Sequence, residues 1–191
     1  MEINNCVLKD TDEILSLYQA ARDLQMQRQM VVWPSFEPSF IENEINCYKQ
    51  WKIVIDDVIA CNWVITLEDK EIWGDKDQDN SIYIHRICTN PNFRGNRFIE
   101  NIVEWAKVYA SQFGKKFVRL DTLGYNTKLI EHYTSAGFNF LGMFKLENTT
   151  TLLKHYQDEP NCCLFEIDLQ TEGNIIPQGG GSTAVVEKVV G

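Results

Sequence analysis

Three groups of residues in this 191-residue chain have types and spacings suited to chemistry. The first is Asn92-Phe93-Arg94-Gly95-Asn96-Arg97-Phe98-Ile99, which follows a strand-like run, Ile82 to Thr89, and opens a strongly patterned helix. The first amides of a helix have no internal partner, and the dipole there favours negative charge. Free amides from Gly95 to Ile99, with the guanidiniums of Arg94 and Arg97, could therefore hold a phosphate or pyrophosphate. The second group is Asn126, seven residues before Tyr133, with Gly137-Phe138 just after. The third is His85, inside the strand-like run, whose unperturbed pKa near ~6.5 suits proton transfer. Each has a plainer competitor: an exposed basic loop with a helix cap, an Asn N-cap beside a packed tyrosine ring, and a structural strand histidine.

The elements that must position these groups follow from periodicity. Asp10 and Glu13 resemble a capping box, and Ile14, Leu17, Tyr18, Ala21 and Leu24 recur at helical spacing. Trp33-Pro34-Ser35 breaks that pattern, with Trp33 a candidate for lining a substrate pocket, and a short helix from about Phe36 to Cys47 follows. Lys52 to Ile55 and Val58 to Thr66 read as a hairpin closed by Asp56-Asp57. Residues 67–80 read as a polar loop. Its Asp75 to Asn80 run begins like a calcium loop, but Arg86 occupies the twelfth position, so a solvated acidic turn is expected. Phe98, Ile99, Ile102, Val103, Ala106, Tyr109, Ala110 and Phe113 form one wide apolar stripe, ended by Gly114 as a C′ residue. Phe117 to Thr122 is a strand, Asn126 to Gly137 a helix, and Phe138 to Phe144 and Cys162 to Leu169 are further strands. Strand–helix–strand units predict parallel pairing mid-sheet and the hairpin predicts antiparallel pairing at one side, giving a mixed α/β sheet flanked by helices.

Composition narrows the function classes. One domain, 1–172, is expected, followed by a Gly-rich tail, 173–191, read as a flexible appendage or an extra edge strand on a neighbouring subunit. A net charge of -9 argues against nucleic acid and anionic membranes and is compatible with a cationic partner. Six cysteines without a C-x-x-C pair read as reduced thiols of a cytoplasmic protein, and no run has the length of a membrane span. His132 and His155 are expected at the surface.

Residues 5–170 resemble the GCN5-related N-acetyltransferase (GNAT) superfamily. The resemblance rests on the strand running into Pro91-Asn92-Phe93-Arg94-Gly95 and a long helix, on Asn126 before Tyr133, and on Gly137-Phe138. The family's pyrophosphate motif is Arg or Gln, two residues, Gly, one residue, then Gly or Ala. Here Arg97 and Ile99 stand at the two small positions. The resemblance implies a single-domain fold with acetyl-CoA as cosubstrate and no metal. Pyrophosphate would lie on Arg94, Gly95, Asn96, Arg97, Phe98 and Ile99, and the pantetheine arm on the main chain of Ile87, Cys88 and Thr89. Asn126 would orient the pantetheine or the helix start, and Tyr133 would protonate the departing sulfur. His85 is the candidate base, with Glu37, Glu42 or a water chain as alternatives. Cys88 has no neighbour that would make it a nucleophile. The implied reaction is direct attack of a primary amine, from a small molecule or peptide, on the thioester. A homodimer is compatible with the pattern. The competing functions are a non-catalytic acyl-CoA-binding or regulatory domain and an unrelated phosphate-binding scaffold.

Overall fold

The computed structural model describes residues 1–171. The tail expected from Gly173 lies outside the described residues. Seven strands form one mixed sheet: β1 (Glu2–Asn5), β2 (Gln50–Ile55), β3 (Val58–Thr66), β4 (Ser81–Thr89), β5 (Phe117–Leu123), β6 (Asn139–Lys145) and β7 (Asn161–Asp168). Their spatial order is β1-β2-β3-β4-β5-β7-β6. Every neighbouring pair is antiparallel except β4 and β5. The second parallel pair expected from strand–helix–strand order does not form, because β7 inserts between β5 and β6 and pairs antiparallel with both.

Local chemistry explains these elements. Asp56 and Asp57 both adopt positive φ, +49° and +63°, the mirror-image turn whose twist suits a two-residue hairpin. Short polar Asp side chains tolerate that conformation better than most. α4 (Phe98–Gln112) buries Phe98, Ile99, Ile102, Val103, Ala106 and Ala110 on the sheet. It ends as expected at Gly114, whose φ is +62°, with Lys115 N–H donating to Ala110 O at 2.8 Å. Phe113 departs from the expected stripe and is exposed, since the helix has ended there. α1 (Thr11–Gln27) and α2 (Pro38–Asn46) cover the opposite face over Ile59 and Cys88. α5 (Thr127–Ser135) packs beside α4 through Ile130 and Tyr133.

Four features differ from the sequence reading. β1 is not among the expected strands; it carries little apolar pattern and becomes a strand by pairing with the edge of β2. The capping box lies three residues earlier, at Val7 and Asp10. The Asp10 carboxylate accepts from Val7 N–H at 2.8 Å and pairs with Lys52, while Glu13 accepts from Ile59 N–H. Within 67–80 there are two short helical turns, α3 (Lys70–Trp73) and a 3₁₀ turn at Gly74–Asp79. They are anchored because Ile72 and Trp73 are buried against Tyr83, Cys162 and Leu164. The acidic run is no calcium loop: Asp79 pairs with Arg119 at 2.8 Å and Asp77 caps Asp69 N–H at 2.7 Å. The last helix, α6 (Lys154–Asp158), brings His155 into the interior against Tyr156, where the sequence suggested a surface position. His132 is exposed, and all six cysteines are free thiols.

Arg119 ties this face together. Its side chain is 1% exposed and bonds Glu166, Asp79 and the carbonyl of Lys76. It also lies over the Trp73 ring at 4.6 Å. Removing one partner of a buried pair strands the other charge, a loss of about 3 kcal/mol or more. Arg119→Ala is therefore expected to lower stability by that amount in urea unfolding, with the midpoint rather than the slope shifting.

Candidate active site

The site grows from an opening in the sheet. β4 and β5 pair over Ser81–Ile84 and Phe117–Leu120, and the register then stops. On its other side β4 stays paired with β3 as far as Thr89, but with a bulge between Asn62 and Val64. The extra residue lies on β4, where Arg86 has φ +49°. A bulge re-aims the strand, so the main chain of Ile87, Cys88 and Thr89 leaves β5 with its hydrogen-bonding edge unused on that side. The bulge is held by side chains. Arg86 bonds Glu44 and lies over the rings of Tyr18, Phe36 and Phe40 at 5.1–5.9 Å. Glu44 also accepts from Gln50 at 2.9 Å, and Gln50 and Asn62 meet the Tyr18 hydroxyl.

At the end of β4 the chain reaches the loop that the sequence offered as a candidate pyrophosphate cradle. Asn90 caps a short turn at Pro91–Phe93, accepting from Asn92 N–H at 3.0 Å. Arg94, Gly95, Asn96 and Arg97 are exposed, and Phe98 and Ile99 are buried in the core. Gly95 has φ +91° and open space where a Cβ would stand. Arg97 has φ +49° at the helix N-cap, the conformation that glycine adopts without strain. Among the described residues, the N–H groups of Gly95 through Ile99 have no main-chain acceptor outside the helix, and the first paired amide is Glu100, bonded to Arg97 O at 3.0 Å. These groups fit a pyrophosphate: free amides at a helix start beside two guanidiniums. Arg97 meets Glu100 at 2.7 Å, but both side chains are more than half exposed, so the pair is readily exchanged.

The remaining expected residues divide. Tyr133 is half-buried on α5 against Phe165 and Phe138, at 5.3 and 6.1 Å between ring centres. Burial, then the charge of Asp121 and Cys61, raises its pKa, so the phenol stays protonated. Asn126 caps α5 with its Oδ1, accepting from Lys128 and Leu129 N–H at 3.1 and 3.2 Å, which leaves its Nδ2 for other work. Cys88 is buried with its thiol toward Leu17 O at 3.2 Å, and burial pushes its pKa up to about 12, away from thiolate chemistry. Glu37 and Glu42 are exposed on the α2 side. Trp33 packs edge-on to Tyr18 at 5.8 Å in the α1–α2 layer.

His85 has unforeseen company. Its Nε2 lies 2.9 Å from Thr66 Oγ1 and its Nδ1 4.0 Å from Asp121 Oδ1. Burial, then Arg86 and Lys49, lowers its pKa to about 3, which makes the imidazole alone a weak acceptor for an ammonium proton. Asp69 joins from the start of α3, and one donor atom from each of Asp69, His85 and Asp121 lies within 4.8 Å of the others. Burial raises the pKa of both carboxyls, and Asp121 repels Asp69 further. Tyr156 donates to Asp121 Oδ2 at 3.0 Å. Such a cluster can hold a cation. The available signal for Asp121 was a carboxylate in the otherwise strand-forming run Phe117–Leu123, on the same face as Arg119. Asp69 in a polar loop carried none.

Comparison with known proteins agrees with this geometry. A sequence model of the Acetyltransferase (GNAT) family matches residues 19–138. An uncharacterized N-acetyltransferase, YesJ of Bacillus subtilis, is 30% identical over 74 residues, and the match spans 39% of this chain and 41% of that relative's length. The crystal structure of a GNAT-family acetyltransferase from Listeria monocytogenes superposes with TM-score 0.70 at 19% identity, covering 87% of this chain and 94% of that one. The Salmonella typhimurium protein yncA, solved with its cofactor acetyl-CoA, superposes with TM-score 0.61 at 11% identity, covering 96% and 98%. With the family model spanning more than half of the sequence and the split sheet leading into the helix cradle, this chain belongs to the GNAT family of acetyltransferases.

Proposed function

We propose that this protein transfers an acetyl group from acetyl-CoA to a primary amine by direct attack. One observation carries the reading: β4–β5 pairing stops at Ile84 and Leu120, and the freed edge of β4 leads straight into the unpaired amides of Gly95 to Ile99. An extended arm can add to that edge as a strand would, and its charged end then meets the helix start. Acetyl-CoA supplies the activated thioester carbonyl.

The chain's own residues do the rest. Arg94 and Arg97 hold the pyrophosphate with the amides of Gly95, Asn96, Phe98 and Ile99. The main chain of Ile87, Cys88 and Thr89 orients the arm, and the Asn126 Nδ2 lies at the start of α5 to bond it. Tyr133, kept protonated, donates a hydrogen bond to the sulfur as charge develops there. His85 stays neutral, with Nε2 on Thr66 and Nδ1 4.0 Å from Asp121, so proton acceptance falls to its carboxylate neighbours rather than to the imidazole alone. The acceptor approaches from the face of α3 and α6, opposite Tyr133.

Two measurements test this. Coenzyme A at a hundred times its Kd should stabilise the protein by about 2.7 kcal/mol, read as an upward shift in thermal midpoint. No shift at millimolar concentration would remove the assignment. Replacing Arg94 and Arg97 together with Ala should weaken coenzyme A about tenfold or more, with little effect on pantetheine, which lacks the pyrophosphate. Separately, Tyr133→Phe should lower kcat by about 10²-fold while the affinity for coenzyme A is kept. Unchanged turnover would exclude Tyr133 from the reaction.

A further inference from the structure

The Asp69–His85–Asp121 cluster is rich in acceptors. Asp69 Oδ2 is buried and has no hydrogen-bond partner. The Asp121 side chain is 4% exposed; its Oδ2 accepts from Tyr156, while its Oδ1 faces His85 Nδ1 at 4.0 Å, beyond hydrogen-bond reach. With His85 Nε2 engaged by Thr66, Nδ1 is left as an acceptor when the Nε2 tautomer carries the proton. Three acceptors thus converge within 4.8 Å, two of them carboxylates removed from water. An orphaned buried carboxylate oxygen is costly, and in its ionised form this set is satisfied best by a cationic donor. A primary ammonium has three N–H donors to match.

Asp69 also belongs to the wall of a cleft. A cavity of about 900 Å³ runs outward from Asp69 between α3 and the segment after β6. Its lining holds five carboxylates, Glu68, Asp69, Glu71, Asp75 and Glu147, against Lys70, Lys76 and Lys145. Between the charges lie the apolar surfaces of Trp73, Phe144 and Leu164. Alternating carboxylates and apolar surface suit a ligand that alternates ammonium groups and methylenes. The overall charge of -9 adds long-range attraction for such a cation.

Resting on the acetyl-transfer reading above, we propose that the acceptor is a linear diamine or polyamine whose reacting ammonium is received by Asp69, His85 and Asp121 while its second ammonium lies along the acidic cleft. The N–H bond of the reacting ammonium breaks toward a carboxylate oxygen of the pair, which later releases that proton to solvent. The freed lone pair forms the C–N bond as the C–S bond breaks. The second proton leaves the nitrogen for the sulfur.

The test compares 1,4-diaminobutane with n-butylamine, which has the same chain and one charge. Calorimetric titration of the wild-type protein without coenzyme A should give at least tenfold tighter binding of the diamine, with the difference shrinking as salt is raised. In thiol-release assays kcat/KM should favour the diamine similarly. Asp69→Asn and Asp121→Asn should each weaken diamine binding tenfold or more while the thermal shift with coenzyme A is kept. Asp57→Asn, on the distant hairpin turn, should change neither. Equal binding of the two amines would overturn the proposal, and that comparison needs no variant. Micromolar binding of Zn²⁺ that is lost in Asp121→Asn and blocks the diamine no more than the monoamine would also overturn it, making the cluster a metal site. A missing coenzyme A shift would instead strike the acetyl-transfer reading, since the calorimetry does not depend on it.

Discussion

A parallel pair of strands that stops bonding after four register positions is the constraint on which the site depends. Strands side by side in a sheet normally continue until one ends, because an unused edge of N–H and C=O groups must find water or another partner. Here β5 runs three residues past its last contact with β4, and β4 runs five past its own. The divergence is enforced from the far side. Arg86 in a left-handed conformation costs roughly 1–2 kcal/mol, and nothing about an arginine makes that favourable locally. The guanidinium is held by Glu44 and three aromatic rings, so tertiary contacts over-determine the bulge. The layer formed by α1 and α2 is therefore more than a cover for Ile59 and Cys88. It fixes the angle at which β4 leaves β5.

Once the sheet is opened, its two faces acquire opposite roles. Tyr133 comes from α5 on the face covered by α4, amid Phe138 and Phe165. Asp121 and His85 belong to the other face, with Asp69 delivered by α3 and Tyr156 by α6. Burial acts on both sets with different consequences. It keeps the tyrosine protonated, as a hydrogen-bond donor must be, and it raises the pKa of both carboxyls, Asp69 further than Asp121. A cation entering between those carboxyls would reverse the second effect, because an opposite charge within a few ångströms favours the ionised form. The same burial that raises both carboxyl pKa values would make an ammonium between them a favourable partner.

The sequence made the proposed cofactor side legible because its signals are local. Helix periodicity from Phe98 to Ala110, Gly114 at the end, Asn126 as an N-cap and two arginines around Gly95 each act within a few residues of themselves. The proposed acceptor side resisted because its residues meet only through topology. Asp69, His85, Asp121 and Tyr156 are spread over 88 positions and converge because β7 inserts beside β5 and α3 folds back over β4. Arg86 was invisible for a related reason: its role depends on Glu44, and a basic residue in a strand-like run has no local marker for a bulge. β1 was missed because an edge strand borrows its stability from β2 rather than from its own pattern.

Arg97 shows how the loop tolerates what looks unfavourable in sequence. The motif position calls for a residue without a Cβ, and the arginine there does take up the left-handed conformation, φ +49° and ψ +41°. Its ion pair with Glu100 cannot supply the roughly 1–2 kcal/mol this costs, since exposed pairs are worth about 0–1 kcal/mol. The next two residues can. Phe98 and Ile99 are 4% and 2% exposed, and full burial of such side chains contributes about 1.5–3 kcal/mol each. Docking those two side chains fixes where α4 begins, and the chain must turn sharply at Arg97 to reach that point from the end of β4. The helix start, with its free amides, is thus placed by the core rather than by the loop. Glycine at position 97 would ease the turn but is not needed to make it, and the arginine brings a positive charge to the place where the helix dipole already favours an anion.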